Sequence, residues 1–242
     1  MRLLNDPAGP ASSKNPCVLL LFDIDGTLLL RASQPHRLAL LEALTLVYGL
    51  EDPASRVVPA AGRTDTQIAR DIAVACGLPP GRFDGSLDAF RRACAEAFAR
   101  HCPASLAAHV APGIAAALDV VAREKSAKLS LLTGNYEPIA RLKLERAGIG
   151  HYFPAGQGAF GSDSEHRDLL GPIARERAGA PGSPYPRALT TVIGDTPLDI
   201  ACARADGLRI VAIATGPYPA ADLTEADIVL AAAHALPAAL SR

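Results

Sequence analysis

The chain has 242 residues, 49 % of them hydrophobic, with 24 Lys and Arg against 25 Asp and Glu. That length accommodates one large domain or one domain carrying an insert, and the apolar share excludes an intrinsically disordered chain. A net charge of −1 supplies neither a basic footprint for nucleic acid nor a polybasic segment for a membrane surface, so small molecules are the expected partners.

In chain order, residues 1–16 mix Pro, Gly, Ser and charge without a continuous apolar run, which predicts a loose tail and not a signal peptide. No apolar run is long enough to span a bilayer. The five cysteines, at 17, 76, 94, 102 and 202, form no CxxC pair and read as reduced thiols of a cytoplasmic protein. Short apolar runs bounded by turn residues predict strands at 17–22 (CVLLLF), 128–133 (KLSLLT), 189–194 (LTTVIG), 208–215 and 227–231. Helical spacing covers 137–148, 165–179 and 197–207, so the expected fold is a doubly wound, Rossmann-like parallel α/β sheet. Residues 31–108 interrupt the alternation with helical patterns at 36–49, 64–77 and 87–102 and no buried strand, predicting an all-helical insert. The Gly- and Pro-rich run 179–188 predicts a surface loop.

The first strand runs straight into Asp23-Ile24-Asp25-Gly26-Thr27. An unpaired buried carboxylate is costly, so these acids belong just past the strand's end, where something cationic meets them. Two further strand ends carry Thr133-Gly134-Asn135 and Asp195-Thr196-Pro197-Leu198-Asp199. In a parallel sheet all three ends fall on one edge, where open α/β sheets bind their ligands. Converging carboxylates need a compensating cation, and hard oxygen ligands suit Mg2+. Each piece has a plainer reading: an Asp-Gly turn at 25–26, or a helix N-cap at Thr133 or Asp195. Three such coincidences at one sheet edge are less economical than one site.

"DIDGT", "LLTGN" and "VIGDTPLDI", in this order and each after a strand, resemble motifs one, two and four of the haloacid dehalogenase-like hydrolase superfamily. The second Asp of "DIDGT" is typical of its phosphatase branches and absent from the dehalogenases. The resemblance covers residues 17 to 231, and the helical insert matches the family's cap in position and size. It implies a hydrolase core of 17–30 and 109–242 with a helical cap at 31–108. It also implies a magnesium-dependent phosphatase of the phosphoglycolate phosphatase-like type, acting on a small phosphorylated metabolite.

The chemistry of the side chains fits these roles. Asp23 serves as the nucleophile that takes the phosphoryl group. Asp25 protonates the leaving alkoxide and later activates water, and Gly26 lets the backbone turn tightly. Thr133, with the N–H groups of Gly134 and Asn135, holds phosphate oxygens. Asp23, Asp25 and Asp195 are the expected metal ligands, with Asp199 orienting the metal's surroundings or the phosphate-binding cation. The third motif departs from the family: the lysine it usually supplies is absent from 159–178. Ser164 reads as a helix N-cap with Glu165 in the first turn, which makes Arg167 the substitute cation and His166 its rival. A cation placed for function predicts that Arg167→Ala folds slightly better. Arg63, in the polar turn 62–67, reads equally as a substrate contact or a surface residue. The six histidines share no metal-like spacing and read as surface or structural residues. A sugar phosphomutase using the same aspartyl-phosphate and a catalytically idle phosphate-binding module are the alternatives. The sequence leaves the substrate and the oligomeric state open.

Overall fold

Alternate residues of a strand face opposite sides of its sheet, so a strand that is apolar throughout must be covered on both. The strand ahead of the "DIDGT" motif is such a case. The computed structural model describes residues 17–124 and 126–240; the expected tail at 1–16 lies outside them. The strands are β1 (Val18–Phe22), β2 (Ala127–Thr133), β3 (Ala159–Phe160), β4 (Thr190–Gly194), β5 (Arg209–Ile213) and β6 (Ile228–Leu230). They form one parallel sheet in the order β3-β2-β1-β4-β5-β6.

The helices are α1 (Ser33–Tyr48), α2 (Asp65–Ala75), α3 (Pro80–Gly85), α4 (Leu87–His101), α5 (Ile114–Arg123), α6 (Glu137–Arg146), α7 (Leu170–Ala178), α8 (Pro197–Ala205) and α9 (Leu236–Leu240). Leu20 and Phe22 of β1 pack with Ile114 and Leu118 of α5, Ala140 and Leu144 of α6, and Leu236 of α9. Leu19 and Leu21 point the other way, onto Leu170 and Ala174 of α7 and Ile200 and Ala203 of α8. The sheet is thus doubly wound, as the unbroken apolar strands require.

Residues 31–108 hold α1 to α4 and no strand. Their own apolar cluster, including Leu40, Leu44, Phe83, Phe90 and Phe98, is closed from the sheet side by Tyr136 and Ile139 at the start of α6. Tyr48 stacks on Phe83 with ring centroids 5.2 Å apart. None of the helices is long and apolar enough, among the described residues, to cross a membrane.

Two local expectations are corrected. Residues 165–179 do not form one helix: Arg167–Leu169 make a 3-10 turn, and α7 starts at Leu170. Ser164 caps no helix; its Oγ accepts from the His166 N–H at 3.0 Å, a local turn that competes with helix formation. The two-residue β3 and helices α3, α5 and α9 lie outside the sequence expectations; β3, α3 and α9 are too short to carry a periodic signal.

Candidate active site

The strand order places β1 between β2 and β4, with Phe22 in register with Leu131 on one side and Ile193 on the other. The three motif-bearing strand ends are therefore neighbours at the carboxyl edge. Asp23 follows β1 directly, its N–H donating to the Ile193 carbonyl at 2.9 Å. The chain then turns at Gly26 with φ of 95°, a left-handed conformation that favours glycine. A Cβ there would stand 2.1 Å from Asp195 Oδ2, and one at Gly216 would stand 1.7 Å from the same oxygen. Glycine at both positions leaves the space beside Asp195 clear.

Asp23, Asp195 and Asp199 each bring a carboxylate oxygen within 4.8 Å of the others, and all three are buried. Thr27 Oγ1 donates to Asp195 Oδ1 at 2.8 Å, while Asp195 Oδ2 is buried and unpaired among the described residues. Asp199 is placed differently. Its Oδ2 accepts from Thr196 Oγ1 at 2.7 Å and from the N–H groups of Thr196 and Asp195, closing a capping box at the start of α8. Its Oδ1 accepts from Arg167. With both oxygens engaged, Asp199 orients its neighbours and has little left for a metal.

Arg167, buried, also donates from the same Nη2 to Asp23 Oδ1 at 3.1 Å. Burial opposes its charge, but Asp199 and Asp23 outweigh that and hold its pKa above the ordinary value. His166, the rival, is exposed. Three buried carboxylates thus face one guanidinium, and the excess negative charge bears on Asp195 and Asp23. Burial pushes Asp195 up, reinforced by Asp199 and Asp23. Burial likewise raises Asp23, with Arg167 opposing and Asp199 and Asp25 reinforcing. A clear space, an orphaned buried oxygen and uncompensated charge on hard donors fit a small divalent cation such as Mg2+, held by Asp23 and Asp195.

The Asp25 carboxylate lies outside this acid cluster, which departs from its expected place among the ligands. Its Oδ2 accepts from Lys143 Nζ at 2.6 Å and from Asn135 Nδ2 at 2.9 Å. Burial alone would raise its pKa, but the charge of Lys143 and the hydrogen bonds from Lys143 and Asn135 bring it below the ordinary value. The two acids of "DIDGT" therefore have separate electrostatic surroundings, Asp23 with Arg167 and Asp25 with Lys143.

Thr133, Gly134 and Asn135 line the same cavity as Asp23, Asp25 and Arg167. The Asn135 N–H donates to Thr133 Oγ1 at 3.4 Å, and its side chain is committed to Asp25 and Lys143. Gly134 is covered by the turn before α2: a Cβ would meet the Arg63 carbonyl at 2.1 Å. The cavity, of about 640 Å³, is roofed by apolar Leu40, Val57, Ile68 and Ile72 from the helical layer. Arg63 borders it but is already used, donating to Asp71 at 2.7 Å and to the Pro59 carbonyl at 3.1 Å. Glu165, displaced from its expected helix, accepts from Arg70 Nε at 2.6 Å and its carbonyl accepts from Thr64 Oγ1 at 2.7 Å, clasping α2 to the sheet side.

Sequence reasoning missed Lys143, His36 and Asp65. Lys143 sits in a helix whose charged residues look solvated, yet it is fully buried. A lysine one residue before an apolar Leu144, on the face of α6 carrying Ile139 and Ala140, was the available signal. His36, expected to be a surface or structural residue, is buried between Lys143 and Asp65.

A family model described as haloacid dehalogenase-like hydrolase matches residues 20–204, and a second, HAD-hydrolase-like model matches 171–238. No curated protein matches the chain. Among solved structures, a haloacid dehalogenase-like family protein from Streptococcus pneumoniae is 19 % identical, covering 93 % of this chain and 98 % of its own, with a TM-score of 0.61. CbbY from Rhodobacter sphaeroides, in complex with phosphate, is also 19 % identical, with 91 % and 96 % covered and a TM-score of 0.62. A candidate β-phosphoglucomutase from Bacteroides vulgatus is 18 % identical, with 95 % and 89 % covered and a TM-score of 0.64. At these identities the likeness is one of fold.

Proposed function

Because the chain belongs to the haloacid dehalogenase-like hydrolases, we propose that it is a magnesium-dependent phosphatase that hydrolyses a small phosphorylated metabolite in the cytoplasm through an aspartyl-phosphate on Asp23. The observation that carries this reading is the separation of the two "DIDGT" carboxylates into different electrostatic settings within one cavity. Lys143 favours the ionised Asp25, the form that takes a proton from water, and a divalent cation beside Asp23 would favour its ionised, nucleophilic form.

In the first step an Asp23 oxygen attacks phosphorus and the ester P–O bond breaks, while Asp25 gives its proton to the leaving oxygen. In the second, Asp25 takes a proton from the water that attacks the same phosphorus, and the Asp23–phosphorus bond breaks to release inorganic phosphate. Arg167 spreads positive charge over the nucleophile, and Thr133 with the backbone of Gly134 and Asn135 positions the phosphoryl oxygens. A Mg2+ held by Asp23 and Asp195 would supply further charge compensation for the phosphoryl group. Residues 31–108 act as a cap over this centre, clasped by Arg70 and Thr64 to Glu165, and exclude bulk water and large substrates.

The test is a panel of phosphorylated metabolites assayed for phosphate release with and without Mg2+. Release from a monoester without a bisphosphate activator supports the phosphatase. Isomerisation that needs such an activator would identify a phosphomutase instead. No turnover of any member would sink both.

A further inference from the structure

Lys143 is the one lysine among the described residues that is fully buried, and each of its three ammonium protons has an acceptor. Nζ lies 2.6 Å from Asp25 Oδ2, 2.8 Å from Asn135 Oδ1 and 3.2 Å from His36 Nδ1. An ammonium only donates, so His36 Nδ1 accepts and its proton sits on Nε2. That Nε2 donates to Asp65 Oδ2 at 3.0 Å, and the same oxygen accepts from the Tyr136 N–H at 2.7 Å. The tautomer is thereby fixed from both sides. The Asp65 N–H in turn donates to the Gly134 carbonyl at 2.9 Å, tying α2 to the loop after β2. The chain Asp65–His36–Lys143–Asp25 thus runs from the helical layer to the group that moves the proton in both steps, with every link inside hydrogen-bond distance.

Its effect on Asp25 is geometric. Lys143 and Asn135 both engage Oδ2, while Oδ1 is buried and without a partner among the described residues. A carboxylate gripped at one oxygen from two directions cannot rotate, so the free oxygen keeps one orientation. We propose that Lys143 is the positioning residue of Asp25, holding Oδ1 as the working oxygen, and that His36 and Asp65 hold Lys143 in turn. The proposal rests on the phosphatase reading above and deepens it. A buried ion pair can also be merely structural, and the two roles differ in what they do to rate.

If Lys143 acts through Asp25, its removal should harm only what Asp25 does. For Lys143→Met, kcat on an alkyl phosphate accepted by the wild type should fall about 10²-fold, the loss that accompanies a misplacement of roughly 1 Å. KM should change little. The first-turnover burst of p-nitrophenolate from p-nitrophenyl phosphate should stay near wild type, because that leaving group needs no proton. In an Asp25→Asn background the same Lys143→Met change should cost almost nothing further, since groups acting as a unit are not additive. An equal loss on the burst and on the alkyl ester, or an undiminished loss in the Asp25→Asn background, would overturn the proposal while leaving the phosphatase reading intact. Should Lys143→Met fail to fold, His36→Gln carries the test: a loss confined to the alkyl ester supports the proposal, and one shared with the burst overturns it. A wild type without any phosphatase activity would remove both readings together.

Discussion

Replacing Arg167 tests the least regular feature of the site. Its Nη2 serves Asp23 Oδ1 and Asp199 Oδ1, and its Nε is buried without a partner among the described residues. The guanidinium fork is therefore not exploited; one terminal nitrogen makes both contacts. A lysine can put an ammonium near that position, so Arg167→Lys should keep turnover within roughly tenfold of wild type. Arg167→Ala should lose about 10²–10³-fold in kcat, as when one preorganised stabilising group is removed. The same variant strips the partner from Asp199, which is 0 % exposed. Removing one member of a buried pair costs about 3–5 kcal/mol. The sequence alone predicts that Arg167→Ala folds slightly better, and the burial of Asp199 reverses that sign. Initial rates of phosphate release at saturating Mg2+, with urea denaturation of the three proteins, read both effects. An alanine variant with wild-type turnover and unchanged stability would refute the reasoning, and a failing His166→Ala beside it would move the cation role to that neighbour.

Asp23→Asn should abolish turnover with the fold intact, because an amide is a poor nucleophile; steady-state release of phosphate by that variant excludes the aspartyl-phosphate. Asp25→Asn should slow alkyl ester hydrolysis by roughly 10²–10⁴-fold while phosphate still binds, since an amide oxygen can accept from Lys143; normal turnover places the acid elsewhere. EDTA should abolish activity and Mg2+ restore it, with Ca2+ serving poorly because it takes more ligands at longer range; full activity after rigorous metal removal counts against the site. Asp195 has a raised folded-state pKa, so the folded protein binds the extra proton and metal-free stability falls as pH rises. The penalty is absent below the ordinary carboxylate range and grows as pH climbs above it. Asp195→Asn should therefore raise the metal-free Tm at neutral pH and not at acid pH; the reverse order in a melting series would contradict the charge excess.

Local chemistry along the chain dictates the sheet and the residues on its edge. A run such as Val18–Phe22, apolar at every position, is stable only when covered on both faces, and acids placed directly after it have to lie at the end of the sheet. Strand, turn and motif are local in the chain, so Asp23, Thr133 and Asp195 were legible together, as was the helical character of residues 31–108. The absence of a lysine from 159–178 points to Arg167, although the helix starts only at Leu170 because Ser164 closes a local turn. Which charge neutralises which emerges only in three dimensions. Lys143 lies 118 positions from Asp25, His36 meets it from another helix, and Asp65 of a third holds His36. The spacing of Lys143 puts it on the apolar face of α6, but which groups it meets there depends on what packs against that face. The same holds for Arg63, whose charge is spent on Asp71, and for Asp199, whose oxygens are filled by its own cap and by Arg167. Charge pairing between distant segments is fixed by packing, and packing is set by the whole chain.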